Sequence, residues 1–74
     1  MVQGTTLSAF IKERRKKLNL KQPELALKAG VGLRLIRELE QGKTGFRVEK
    51  VNEVLKLFGY ELGPVPINRN TIDL

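Results

Sequence analysis

The sequence predicts an all-α fold: a compact domain of four short helices followed by one short C-terminal strand. Three observations carry that prediction. Apolar residues recur at three- and four-residue spacing from Leu7 to Phe58, the period of a helix with one buried face. Asn19, Gly30, Gly42 and Gly59 cut this pattern into four pieces, and these residue types stop helices. Beyond Gly59 the period changes to alternation, with Tyr60 and Leu62 either side of Glu61.

Residues 1–6 read as a polar lead-in. Thr6 or Ser8 can cap the first helix, because a hydroxyl accepts from unpaired first-turn amides. That helix is expected over 7–18, with Leu7, Phe10, Ile11 and Leu18 on one stripe and Asn19 as its stop. Leu20 returns the chain to the core. The second helix is expected over 22–29. Pro23 is tolerated in a first turn, Glu24 suits the positive helix end, and Leu25, Ala26 and Ala29 form the apolar face. Gly30 ends it, Val31 sits in a tight turn, and Gly32 stands at the next N-cap. The third helix spans about 33–41. A loop over 43–47 follows, with Phe46 on the core rim. The fourth helix spans about 48–58, with Val48, Val51, Leu55 and Phe58 inward. Val54 and Leu57 widen its stripe beyond what one small core needs. The segment 60–67 alternates like a strand, and Pro64 and Pro66 confine it to an edge. The chain offers no other strand to pair with it, so a second copy is the simplest partner. Val54, Leu57, Tyr60, Leu62 and Val65 are the expected homodimer contacts. Residues 68–74 read as a mobile tail.

Seventy-four residues make one small, marginally stable domain, for which oligomerisation is a usual remedy. Cysteine and histidine are both absent. Disulfides, thiol nucleophiles, common zinc sites and imidazole catalysis are therefore excluded. Glu38, Glu40, Glu49 and Glu53 form no nucleophile–base set, so an enzyme and a cofactor are not expected. Fourteen lysines and arginines against 8 acids leave a formal charge of +6, which points to an acidic partner. No apolar run approaches the ~20 residues of a membrane span, and no signal-peptide core opens the chain. A cytoplasmic protein is the expectation. The basic stretch "FIKERRKKL" is a poor membrane-surface helix, because Arg15 interrupts its apolar face.

Two short helices joined by "AGVG" meet the requirements of a helix-turn-helix. Ala26 is small enough for close crossing. Gly30 accepts positive φ, Val31 plugs the turn, and Ile36 and Leu39 anchor the second helix inward. That leaves Gly32, Leu33, Arg34, Arg37 and Glu38 on the outward or N-terminal side. In this geometry the second helix enters the major groove of double-stranded DNA, N-terminal residues against the base edges. Arg34 is suited to guanine O6 and N7, a contact worth ~1–3 kcal/mol of discrimination, and Leu33 to a thymine methyl. Arg37 can reach a base or a phosphate. Glu38 either accepts from cytosine N4 or pairs with Arg34 one turn away.

Arg15 and Glu40 both fall on inward stripes. They read as a buried ion pair, the alternative being that Arg15 snorkels to solvent. Gln22 opens the second helix, where amides and dipole favour a phosphate. Lys43, Gly45 and Arg47, in the loop after the third helix, are further phosphate candidates. Lys12, Arg14, Lys16 and Lys17 read as a solvated basic face.

The stretches "IKERRKKLNLKQPELALKAGVG" and "LIRELEQGK" resemble the Cro and repressor-type helix-turn-helix family, also called XRE-type regulators. The resemblance covers about Leu7 to Gly59. It implies that Gln22 and Gln41 contact phosphate, that residues 32–34, 37 and 38 face bases, and that the Arg15–Glu40 pair is a recurring feature. Gly32 and Leu33 depart from the Ser or Thr and the polar residue that many members carry there. The "GVG" turn, "LEQGK" and the terminal strand look closest to HipB-like antitoxins. In that group the partner is a kinase-like toxin (HipA-like), and the dimer represses its own operon. The expected function is thus a sequence-specific repressor binding a palindromic operator. The competing readings are a protein-interaction module with incidental DNA binding and a stand-alone phage-type repressor.

Overall fold

A computed structural model describes residues 6–67. Four helices form, α1 (Leu7–Lys17), α2 (Gln22–Ala29), α3 (Leu33–Glu40) and α4 (Val48–Lys56). No strand occurs among the described residues. The mobile tail expected over 68–74 lies outside them, as do residues 1–5 of the lead-in.

Each helix ends the same way. Within three residues of its end the chain takes a left-handed backbone: Asn19 (φ 57°), Gly30 (φ 74°), Gly42 (φ 83°) and Gly59 (φ 81°). The next N–H then reaches back five residues, Leu20 to Arg15 O, Val31 to Ala26 O, Lys43 to Glu38 O and Tyr60 to Leu55 O. These are Schellman turns, which satisfy carbonyls that a helix end leaves open. The turn also aims the following side chain back at its helix. Leu20 and Val31 accordingly pack on the core. Thr6, rather than Ser8, caps α1, its hydroxyl accepting from the Ala9 amide at 3.2 Å.

The core comprises Ile11 from α1, Leu25, Ala26 and Ala29 from α2, Ile36 and Leu39 from α3, and Val51, Val54 and Leu55 from α4. α3 packs against α1 and α2, and α2 also packs against α4. Phe46 is half-buried against this cluster, as expected of the rim.

Four expectations need correction. Leu18 is 52 % exposed, because α1 stops at Lys17 and the left-handed Asn19 sends Leu20 inward instead. Val48 is exposed at the first position of α4, one turn before that helix's core residues begin. Val54 is wholly buried in the chain's own core, so it has no surface to offer a second chain. It belongs with Val51, Leu55 and Phe58, one i, i+3, i+4, i+7 stripe. The expected strand over 60–67 is absent from the single chain. The Tyr60 and Leu62 amides bond to α4, at Leu55 O (3.0 Å) and Asn52 Oδ1 (2.7 Å), and Pro64 and Pro66 have no amide hydrogen to give.

Candidate nucleic-acid interface

The α2–α3 pair is built around Gly30 and Val31. Ala26, Ala29, Ile36 and Leu39 are buried between the helices, so the pair crosses closely. Gly32 then starts α3 in an extended conformation (φ −74°, ψ 150°), with nothing within 4 Å of the place a Cβ would occupy. The start of α3 is therefore sterically open.

The two faces of α3 are sharply different. Ile36, Leu39 and Glu40 are buried, whereas Arg34 and Arg37 are exposed. Leu33, expected outward, is half-buried and packed on the core, which leaves only part of it to meet a base. Arg34 projects with 89 % of its side chain exposed, and its Nε donates to Glu38 Oε2 at 3.1 Å. Of the two readings open for Glu38, the pair within the helix is formed in the unbound chain.

Beneath this surface, Arg15 and Glu40 meet in a two-pronged ion pair, Nε to Oε2 at 2.7 Å and Nη2 to Oε1 at 3.0 Å. Their side chains are 13 % and 3 % exposed, so Arg15 does not snorkel. Arg15 Nη1 also donates to Leu20 O at 2.8 Å. The Gln22 amide donates to Glu40 Oε1 at 3.1 Å. Burial by itself opposes the charged Glu40. The hydrogen bonds from Arg15 and Gln22 and the charges of Arg15 and Lys12 together overcome it, holding this carboxyl below its ordinary range. The hydrogen bond to Glu40 raises the Arg15 pKa against the opposing effect of burial.

The phosphate candidates lie around α3. Gln41 is exposed at its C-terminal end. Lys43 and Gly45 are exposed in the following loop, Gly45 at φ 88° with open space beside it, and Arg47 is exposed at the N-cap of α4. Gln22 is half-buried, with its side-chain amide turned toward Glu40.

Sequence reasoning missed one cluster. Arg14 is not part of the solvated basic face. It is half-buried, its guanidinium 5.2 Å from the ring centres of both Phe10 and Tyr60, and its Nη2 donates to Tyr60 Oη at 3.1 Å. Phe10 meets Tyr60 edge-on at 4.7 Å. This cluster ties the segment after α4 to α1. The four-residue spacing of Phe10 and Arg14 was a visible signal, but Tyr60 is remote in sequence. Among the described residues no helix is long and apolar enough to cross a membrane.

The helix-turn-helix family matches residues 11–65 of the chain. The chain belongs to the helix-turn-helix family. It is also 47 % identical, over 53 residues, to a protein of Sinorhizobium fredii (strain NBRC 101917 / NGR234) named as the uncharacterized HTH-type transcriptional regulator y4mF. That match covers 72 % of this chain and 70 % of the relative. In this helix-turn-helix protein α2 and α3 are the two helices joined by the Gly30–Val31 turn.

Proposed function

We propose that this protein is a sequence-specific DNA-binding transcriptional repressor. It acts as a homodimer on a palindromic operator. It is the antitoxin of a toxin–antitoxin pair, neutralises a HipA-like kinase toxin and represses its own operon. Membership of the helix-turn-helix family and the relative named as a transcriptional regulator support the DNA-binding regulatory role. The single observation that carries the readout is α3, eight residues that anchor themselves by Ile36 and Leu39 while holding Arg34 and Arg37 out. Arg34 and Arg37 address bases, with a share for Leu33 and the open start at Gly32. Gln22, Gln41, Lys43, Gly45 and Arg47 address phosphates. The antitoxin role rests on the likeness of "GVG" and "LEQGK" to HipB-like proteins. Exposed Leu57, Tyr60, Leu62 and Val65 form the dimer seal, without Val54. The two α3 helices then meet half-sites about one helical turn apart.

The test is fluorescence anisotropy against the DNA immediately upstream of the coding sequence and against a scrambled duplex, at two salt concentrations. Preference for the upstream DNA of ~10³-fold or more, weakening steeply with salt, is expected. Arg34→Glu should abolish that preference with the circular dichroism spectrum unchanged. Equal weak binding to both duplexes, or full specificity in Arg34→Glu, overturns the reading.

A further inference from the structure

Glu38 is an acidic residue on the face proposed to meet DNA, where phosphates repel it. Its surroundings give it a task other than touching a base. Its side chain is 25 % exposed against 89 % for Arg34, so it lies recessed behind the arginine. Oε2 accepts from Arg34 Nε at 3.1 Å and stands 3.8 Å from Lys43 Nζ. Lys43 is itself held to this residue by the main chain, its N–H donating to Glu38 O at 3.1 Å across the turn that ends α3. That turn commonly brings two apolar side chains together at these positions. Here an acid and a base take their place.

We infer that Glu38 is a positioning residue for base readout, which rests on the proposed DNA-binding role. An arginine has five N–H donors. The bond to Glu38 uses the one on Nε and leaves the four on Nη1 and Nη2. Guanine presents two adjacent acceptors, O6 and N7, which a guanidinium meets with two donors. Holding Nε fixes the plane and direction of the fork before DNA arrives. An unheld side chain must lose rotamer freedom on binding. Lys43 offsets the carboxylate charge and keeps Glu38 turned back along the helix. The preferred target is therefore a guanine opposite Arg34, and Glu38 sets how strongly guanine is preferred.

The experiment is selection from a pool of randomised duplexes with the wild-type chain, followed by anisotropy titrations of E38Q and R34A on the selected duplex. A matched duplex with the critical guanine changed to adenine is titrated in parallel. E38Q keeps the shape and removes the charge. We expect the wild type to prefer guanine at one position per half-site and R34A to lose that preference. E38Q should lower the guanine-to-adenine ratio by about two- to fivefold, the size an exposed i,i+4 pair supports, while binding the adenine duplex no more weakly than the wild type. An unchanged ratio in E38Q overturns the inference, as does an equal loss on both duplexes, the mark of a merely structural role. A preference lost at a cytosine other than the partner of that guanine also overturns it, because Glu38 would then read a base directly. If the wild-type chain selects no motif at all, the DNA-binding role itself fails, and this inference with it.

Discussion

Glu40 is one carboxylate holding three stretches of chain: Arg15 from α1, Gln22 from α2, and, through Arg15, the Leu20 carbonyl. Removing one member of a buried pair leaves the other charged and unpaired, at a cost of about 3–5 kcal/mol. Arg15→Ala and Glu40→Ala should each lower the unfolding free energy, measured by urea titration, by that order. The same applies less severely to Gln22→Ala, which removes a single donor. The pH dependence follows from direction. The Glu40 pKa is lower folded than its ordinary 4.5, so the unfolded chain binds the proton more readily. The stabilisation is complete above about pH 4.5 and is lost as the pH falls through the lower folded value. Urea unfolding followed from pH 7 to pH 3 should show this loss, and Glu40→Gln should flatten that part of the profile. Sequence alone reached the pair, because two opposite charges on inward stripes have few other solutions. Gln22 escaped because a polar residue at a helix start has an ordinary reading, phosphate binding, that needs no partner within the chain.

The helices themselves were legible to within two residues at each end, because their stops are chemically specific. At Gly30 the left-handed backbone is required and the space beside it is open. Gly30→Ala therefore tests conformation without a clash. It should cost about 1–2 kcal/mol, the penalty of a Cβ in that region, read as a lower thermal midpoint with helix content unchanged at low temperature. Depth was harder to read than direction. A helical wheel places Leu18, Val48 and Val54 on stripes, but only neighbouring elements decide whether a stripe position is covered. α1 ends before Leu18, Val48 precedes the packed part of α4, and Val54 lies at its centre. The segment after α4 was misjudged for a related reason. Alternation in Tyr60 and Leu62 was real, yet their amides bond to α4. Tyr60 is used instead as a plug against Phe10 and Arg14.

At the scale of the molecule, four of the eight exposed large apolar side chains among the described residues, Tyr60, Leu62, Val65 and Ile67, lie in the segment after α4. Leu62, Val65 and Ile67 are 37 %, 77 % and 57 % exposed beyond the Tyr60 anchor. If this segment seals the proposed dimer, the unfolding midpoint rises with protein concentration. A Leu62→Asp, Val65→Asp double variant should sediment as a monomer at every concentration and keep its helical spectrum. A dimer that survives both changes would place the seal elsewhere. The four packed helices, by contrast, complete their core within one chain. The division within α3 has a consequence for how such proteins diversify. Arg34 and Arg37 are exposed and take no part in the core, so their replacement leaves thermal stability nearly untouched. If Arg34 and Arg37 address bases as proposed, one copy can drift at these two positions after a duplication through a succession of folded proteins until the two ignore each other's sites. Divergence of address on that reading needs no compensating repair in the core, so several such regulators can coexist in one cell without cross-talk.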